Sequence, residues 1–85
     1  MTAQLLIDRL RSELPPVFTR RTASKMTGGY LAPGTLANLD SKDEGPGGVL
    51  VGKSTLYERE SFLEWFQRRI EKDATKAPRK QVVGV

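Results

Sequence analysis

Neither cysteine nor histidine occurs anywhere in the sequence, and each absence removes a class of chemistry. Without cysteine there is no disulfide framework and no thiolate zinc site. Without histidine the chain lacks the commonest metal ligand and the usual general base near neutral pH. Long hydrophobic runs are missing as well: none reaches the roughly 18 residues of a membrane span. The most apolar N-terminal stretch, "AQLLIDRL", is too short and too charged for a signal-peptide core. The chain therefore reads as a cytoplasmic protein and not as an enzyme, with no metal or other cofactor expected.

Its 85 residues correspond to one small domain with a terminal helix or tail added. A domain of this size buries only about 60% of the surface its unfolded chain exposes, so the core must be modest. Fourteen Lys and Arg against ten Asp and Glu leave a formal charge of +4. That balance favours a polyanionic partner such as nucleic acid.

One motif points elsewhere. Residues 47–54, "GGVLVGKS", match the phosphate-loop pattern G-x-x-x-x-G-K-[ST]. A phosphate loop needs a buried strand before it and a helix N-terminus directly after it. Here the preceding residues are "SKDEGP", which cannot form that strand. The intervening "GVLV" carries β-branched valines suited to extended pairing, and "TLYE" after Ser54 alternates as a strand does. No later apolar strand ends in an aspartate that could hold Mg²⁺. The segment reads as a β-hairpin, and no nucleotide is expected to bind it.

The remaining chain divides by its punctuation. "TAQLLIDRLRSEL" predicts a helix over residues 1–14, capped by Thr2, with Ala3, Leu6, Leu10 and Leu14 as its apolar stripe. Pro15 and Pro16 end it, and "VF" leads in extended form to a second helix, "RRTASKM", capped by Thr19 and closed at Thr27–Gly29. Tyr30 and Leu31 read as turn residues tucked onto the core. Pro33 opens a third helix, "PGTLANLDS", whose apolar face is Leu36 and Leu39 and whose opposite face carries Thr35 and Asn38. "KDEGPGG" is a loop. After the hairpin, "ERESFLEWFQRRIEK" is the strongest helix, with Phe62, Phe66 and Ile70 in register and Leu63 beside them. Phe18 and Tyr57 are core candidates, and Trp65 is expected to pack into the core as well. The main domain is thus placed at 15–72, with 73–85 a basic tail in which Lys76, Arg79 and Lys80 could add nonspecific affinity or solubility.

The order helix, turn, helix, hairpin, helix is that of a winged helix-turn-helix, a mainly α fold with a small β-hairpin, here with an extra N-terminal helix. The chain resembles the MerR/AlpA-type, excisionase-like winged-helix family over about residues 17–70. The resemblance rests on "VFTRRTASKMTGG", "APGTLANLD", the "GP..VLVGK" approach to the hairpin, and "LYERESFLEWF". It implies a small DNA-binding regulator or architectural factor of prophage type. Such families often place Arg or Lys on the exposed face of the second helix of the helix-turn-helix, which is the third helix of this chain and has Pro33 and Asn38 there instead.

Under that reading Arg20 and Arg21 stand in the first turn of their helix, where the macrodipole disfavours cations by about 0.3–1 kcal/mol each. A local rule broken without folding gain points to phosphate contact. Thr35 and Asn38 are the candidate base-reading pair, since Asn can pair bidentately with adenine and Thr can meet a thymine methyl or a phosphate. Lys53 and Ser54 at the hairpin tip could reach a phosphate or the minor groove. Lys25 and Lys42 flank the third helix as secondary candidates. For every one of these residues, ordinary solvated surface is the alternative reading. The expected partner is double-stranded DNA, with self-association or a cooperative array supplementing a weak single domain. The leucine stripe of the first helix could supply that contact or pack back on its own domain. The rival is a protein-interaction adaptor with the same fold, favoured by the uncharged third helix and the acidic "DSKDE" after it.

Overall fold

The computed structural model describes residues 2–76. Four helices and a three-stranded antiparallel sheet follow in the order α1 (Ala3–Glu13), β1 (Val17–Thr19), α2 (Arg20–Met26), α3 (Pro33–Ser41), β2 (Val49–Val51), β3 (Ser54–Glu58) and α4 (Arg59–Lys76). The domain is mostly helical.

Local chemistry sets the helix ends. Thr2 and Thr19 each accept a hydrogen bond from the backbone N–H three residues on, at Leu5 and Thr22, satisfying donors that a helix start otherwise leaves open. Both caps are as the sequence predicts, and so are the limits of α2 and α3. Both of those helices end in the same paired bond pattern: Gly29 N–H to Ser24 C=O with Gly28 N–H to Lys25 C=O, and Glu44 N–H to Leu39 C=O with Asp43 N–H to Asp40 C=O. This Schellman arrangement satisfies the last carbonyls. At α3 it holds Asp43 at φ 59.

In α1 the stripe differs from the expected one. Ile7 is buried and Leu6 is 46% exposed, so the face runs Ala3, Ile7, Leu10, Leu14. Three consecutive apolar residues, Leu5–Leu6–Ile7, cannot by themselves phase a helix, and the choice falls to what the helix packs on. That partner is α4. Arg11 pairs with Glu60 at 3.2 Å, and Gln67 donates to Gln4 at 2.9 Å. The N-terminal helix thus packs on its own domain, leaving Leu5 and Leu6 outside.

"VF" is more than an extended lead-in. Residues 17–19 form an edge strand paired to β3, with Phe18 opposite Tyr57, and β2 pairs the other side of β3 to give the order β1-β3-β2. The sheet therefore has a third strand beyond the expected hairpin. Gly52 and Lys53 form the two-residue turn of that hairpin. Gly52 has φ 64 and Lys53 does not go positive, the pattern of a type II′ turn, which wants glycine first. Gly48 has a different reason: a Cβ there would stand 2.8 Å from the Tyr57 ring and closer still to the Thr55 methyl.

The core gathers Ile7, Leu14, Phe18, Ala23, Leu31, Leu36, Tyr57, Phe62, Leu63, Trp65 and Phe66, with Leu10, Met26, Leu39 and Ile70 packed partly against it. Phe62 is its hub, within 5.1–5.9 Å of Phe18, Tyr57, Trp65 and Phe66 by ring centroid, distances at which aromatic pairs add to plain burial. Trp65 lies in this core and donates to the Glu44 carbonyl at 2.8 Å. Leu31 is buried as expected. Tyr30 is half exposed, its ring 6.1 Å from Phe66 and its hydroxyl 2.5 Å from Asp73. Asp73 belongs to α4, which continues to Lys76, beyond the domain limit expected at residue 72. Residues 77–85, with the tail's Arg79 and Lys80, lie outside the described residues.

A candidate nucleic-acid interface at the α2–α3–hairpin junction

The hairpin that carries "GGVLVGKS" continues from Ser54 into β3, where a phosphate loop would require a helix N-terminus. What the hairpin does is bring its tip beside the start of α2 and α3. Thr19, Arg20, Arg21, Pro33, Lys53, Ser54 and Thr55 line one groove of about 480 Å³. Four of the sequence-predicted residues, the adjacent pairs Arg20–Arg21 and Lys53–Ser54, therefore meet at a single place although the two pairs lie more than thirty positions apart in the chain.

Their electrostatic roles separate there. Arg21 and Lys53 are exposed, and neither forms an ion pair or side-chain hydrogen bond with another described residue. Arg20 is tied down. Its Nε donates to the Tyr57 hydroxyl at 2.9 Å, and one of its terminal nitrogens meets Asp40 Oδ2 at 2.9 Å. The Tyr57 hydroxyl in turn donates to the same Asp40 oxygen at 2.7 Å. Asp40 Oδ1 accepts from the Gly47 N–H at 3.4 Å. One carboxylate thus joins α2, α3, β3 and the loop before β2. Side-chain exposure is 27% for Arg20 and 16% for Asp40, so the pair is partly desolvated and stronger than a surface bridge. The Asp40 bond, then the Tyr57 bond, hold the Arg20 guanidinium above its ordinary pKa. Burial first, and then the bond to Asp40, push the Tyr57 phenol up to about 12.

Asp40 carries no local signal that would have revealed this. Its partners lie 20 positions before it and 17 after it, and in the sequence it is one of several acids in "DSKDE". The loop glycines hold a faint trace. A Cβ on Gly45 would collide with the Asp40 carboxylate and one on Gly48 with Thr55 and the Tyr57 ring, while one on Gly47 would meet nothing, that residue instead holding φ 84.

The other predicted residues lie apart from the groove. Thr35 and Asn38 are exposed on the outer side of α3, opposite buried Leu36, and their side chains make no hydrogen bond to another described residue. Lys25 stands in the last turn of α2 and Lys42 at the C-cap of α3, both exposed. A second, apolar groove of about 550 Å³ lies between α1, the end of α2 and α4, lined by Leu6, Leu10, Met26, Tyr30, Phe66 and Ile70 among others. Among the described residues there is no cluster of three or more acids that could hold a metal ion, and no helix is long and apolar enough to cross a membrane. Compared with known protein families, curated proteins and solved structures, the chain matches none.

Proposed function

We propose that the chain is a small cytoplasmic DNA-binding protein of winged helix-turn-helix type, acting as a transcriptional regulator or excisionase-like architectural factor. The observation that carries this reading is the convergence of Arg21 and Lys53, neither of them in an ion pair with another described residue, on one groove at the N-terminus of α3. Cations at the start of α2 and at the hairpin tip are placed to straddle a phosphate backbone, which fixes register and orientation. The exposed Thr35 and Asn38 of α3 then supply polar groups for base edges in a major groove. Arg20 acts chiefly through geometry under this reading. By holding α2, α3 and β3 on Asp40 and Tyr57 it fixes the angle between the third helix and the hairpin.

With few phosphate contacts, single-domain affinity is low and steeply dependent on salt. The test is a chemical-shift titration of the ¹⁵N-labelled chain with duplex DNA at low and moderate ionic strength. Salt-sensitive shifts at Arg21, Thr35, Asn38 and Lys53 are expected. If those amides stay unmoved at low salt, the DNA reading is wrong and the adaptor reading takes its place.

A further inference from the structure

β2 is a short edge strand that no other strand covers among the described residues. Val49, Leu50 and Val51 are 64%, 70% and 54% exposed, and no charged residue occurs between Glu44 and Lys53. Edge strands are ordinarily blunted by charge, proline or a bulge. Pro46 stands three residues before Val49 and outside the strand, whereas at the opposite edge Pro15 and Pro16 lead directly into β1, the Pro16 carbonyl is taken by the Arg59 N–H at 2.9 Å, and α2 begins directly after Thr19.

The register fixes what β2 offers. Val51 pairs with Ser54 across the two-residue turn and Val49 pairs with Leu56, so these residues direct their backbone groups toward β3. Leu50, between them, directs its N–H and C=O outward. The sequence around it is a palindrome, Gly48-Val49-Leu50-Val51-Gly52. The strand also has acidic Asp43 and Glu44 on its approach and basic Lys53 at its exit. Antiparallel pairing with an identical strand would set Leu50 against Leu50, each Val49 against a Val51, and the Lys53 end of one copy beside the acidic approach of the other. Every side chain thereby meets a like partner in size and polarity, and the flanking charges are complementary.

We infer that β2 is a self-association edge, pairing antiparallel with β2 of a second copy about Leu50 to make a continuous six-stranded sheet. The two-fold axis of such a pair runs normal to the sheet and keeps side chains on their own faces. Both α2–α3 units, which lie on the Tyr57 face, then sit on the same side of the assembly. Three residues per strand cover far less than the ~800 Å² per partner of a standard interface. The association is accordingly weak in free solution and gains when copies are held close together. The inference is independent of what the α2–α3 face binds.

The test is sedimentation of the full chain from about 10 μM to about 1 mM, a range that brackets weak association, with amide shifts followed alongside. The expected result is a concentration-dependent rise from the 9.5 kDa chain mass toward twice that value, with shifts confined to residues 48–52. Leu50→Lys, at an exposed site, and Leu50→Pro, which removes the outward N–H, should each weaken association at least tenfold. Val17→Lys on the other edge should leave it unchanged. A wild-type monomer at the highest concentration would overturn the proposal. Undiminished association in both Leu50 variants, or its loss in Val17→Lys, would do so equally. Edge shifts seen only on adding an unrelated extended peptide would assign β2 to a foreign strand and also overturn it.

Discussion

Arg20 and Asp40 stand 2.9 Å apart across the α2–α3 corner, each also bonded to the Tyr57 hydroxyl. This three-way junction explains why an arginine occupies the first turn of a helix, where the dipole disfavours it. Its carboxylate partner comes from another helix and more than offsets the local penalty. The neighbouring Arg21 has no such partner among the described residues, so its place in a first helical turn is without that compensation.

Removing Asp40 should therefore be costly for stability. Asp40→Ala leaves a partly buried guanidinium and a buried hydroxyl short of an acceptor, predicting a loss of about 2–3 kcal/mol. In a domain of this size that lowers Tm by about 10–20 °C. Tyr57→Phe, which keeps the ring, should cost about 1 kcal/mol. Thermal unfolding of both variants by circular dichroism checks the pair, and an Asp40→Ala protein as stable as wild type would show the junction to be incidental.

Alkaline titration gives a second check. With its phenol raised to about 12, Tyr57 binds its proton more tightly in the folded than in the unfolded chain. Its stabilising contribution is whole below pH ~10, the unfolded phenol value, and is lost as pH rises from there through 12. Tyr30 moves in the same direction, chiefly through its bond to Asp73. Ultraviolet absorbance of tyrosinate in the folded protein should therefore show no phenol ionising at the free-tyrosine pH, and denaturant midpoints should fall above pH ~10.

At the acid end the sensitive group is Glu58. Its carboxylate accepts from the Glu60 and Ser61 N–H groups at 2.9 and 3.0 Å and from the Ser61 hydroxyl, capping α4. These bonds hold its pKa below the ordinary carboxylate value. A depressed folded pKa means stability present above the unfolded carboxylate range and lost as pH falls through the folded value. Glu58→Gln should flatten the acid limb of the Tm-against-pH curve while changing Tm less at pH 3 than at pH 7, which a pH series of melts would reveal.

Gly48 should tolerate nothing larger. Gly48→Ala drives a methyl into Thr55 and the Tyr57 ring, predicting a loss of about 1–3 kcal/mol by overpacking. Gly52→Ala should cost about 1–2 kcal/mol for a different reason, the left-handed φ of the turn. Denaturant unfolding measures both, and equal stability of Gly48→Ala and wild type would mean the hairpin shifts freely.

For DNA binding, Arg21→Ala and Lys53→Ala should each lower affinity about uniformly across sequences and reduce the slope of log affinity against log salt by about 0.9. Asn38→Ala should instead relax discrimination between duplexes. Fluorescence anisotropy across a salt series separates the two kinds of effect.

The sequence by itself determined those elements whose signals are local. The Thr19 cap and the glycines after Thr27 place α2 to the residue, and Pro33 at the first helical position opens α3. "GKS" between the β-prone "VLV" and the alternating "TLYE" marks the hairpin, with Ser54 found already in β3, and the Phe62–Phe66 spacing marks the buried face of α4. Each of these depends on contacts within a turn or two of chain, so periodicity and turn chemistry suffice. Only the tertiary structure decided that residues 17–19 are a strand, because three residues acquire a ladder only from a β3 some 40 positions on. It likewise chose Ile7 over Leu6, since an unphased apolar triplet takes its face from α4. It carried α4 through Asp73, which Tyr30 holds from another part of the fold. The candidate site divides along the same line. Arg21, Thr35, Asn38 and Lys53 were legible as exposed polar residues on named elements. The meeting of Arg21 with Lys53, and the binding of Arg20 to Asp40 and Tyr57, are long-range pairings that leave no periodic trace in the chain.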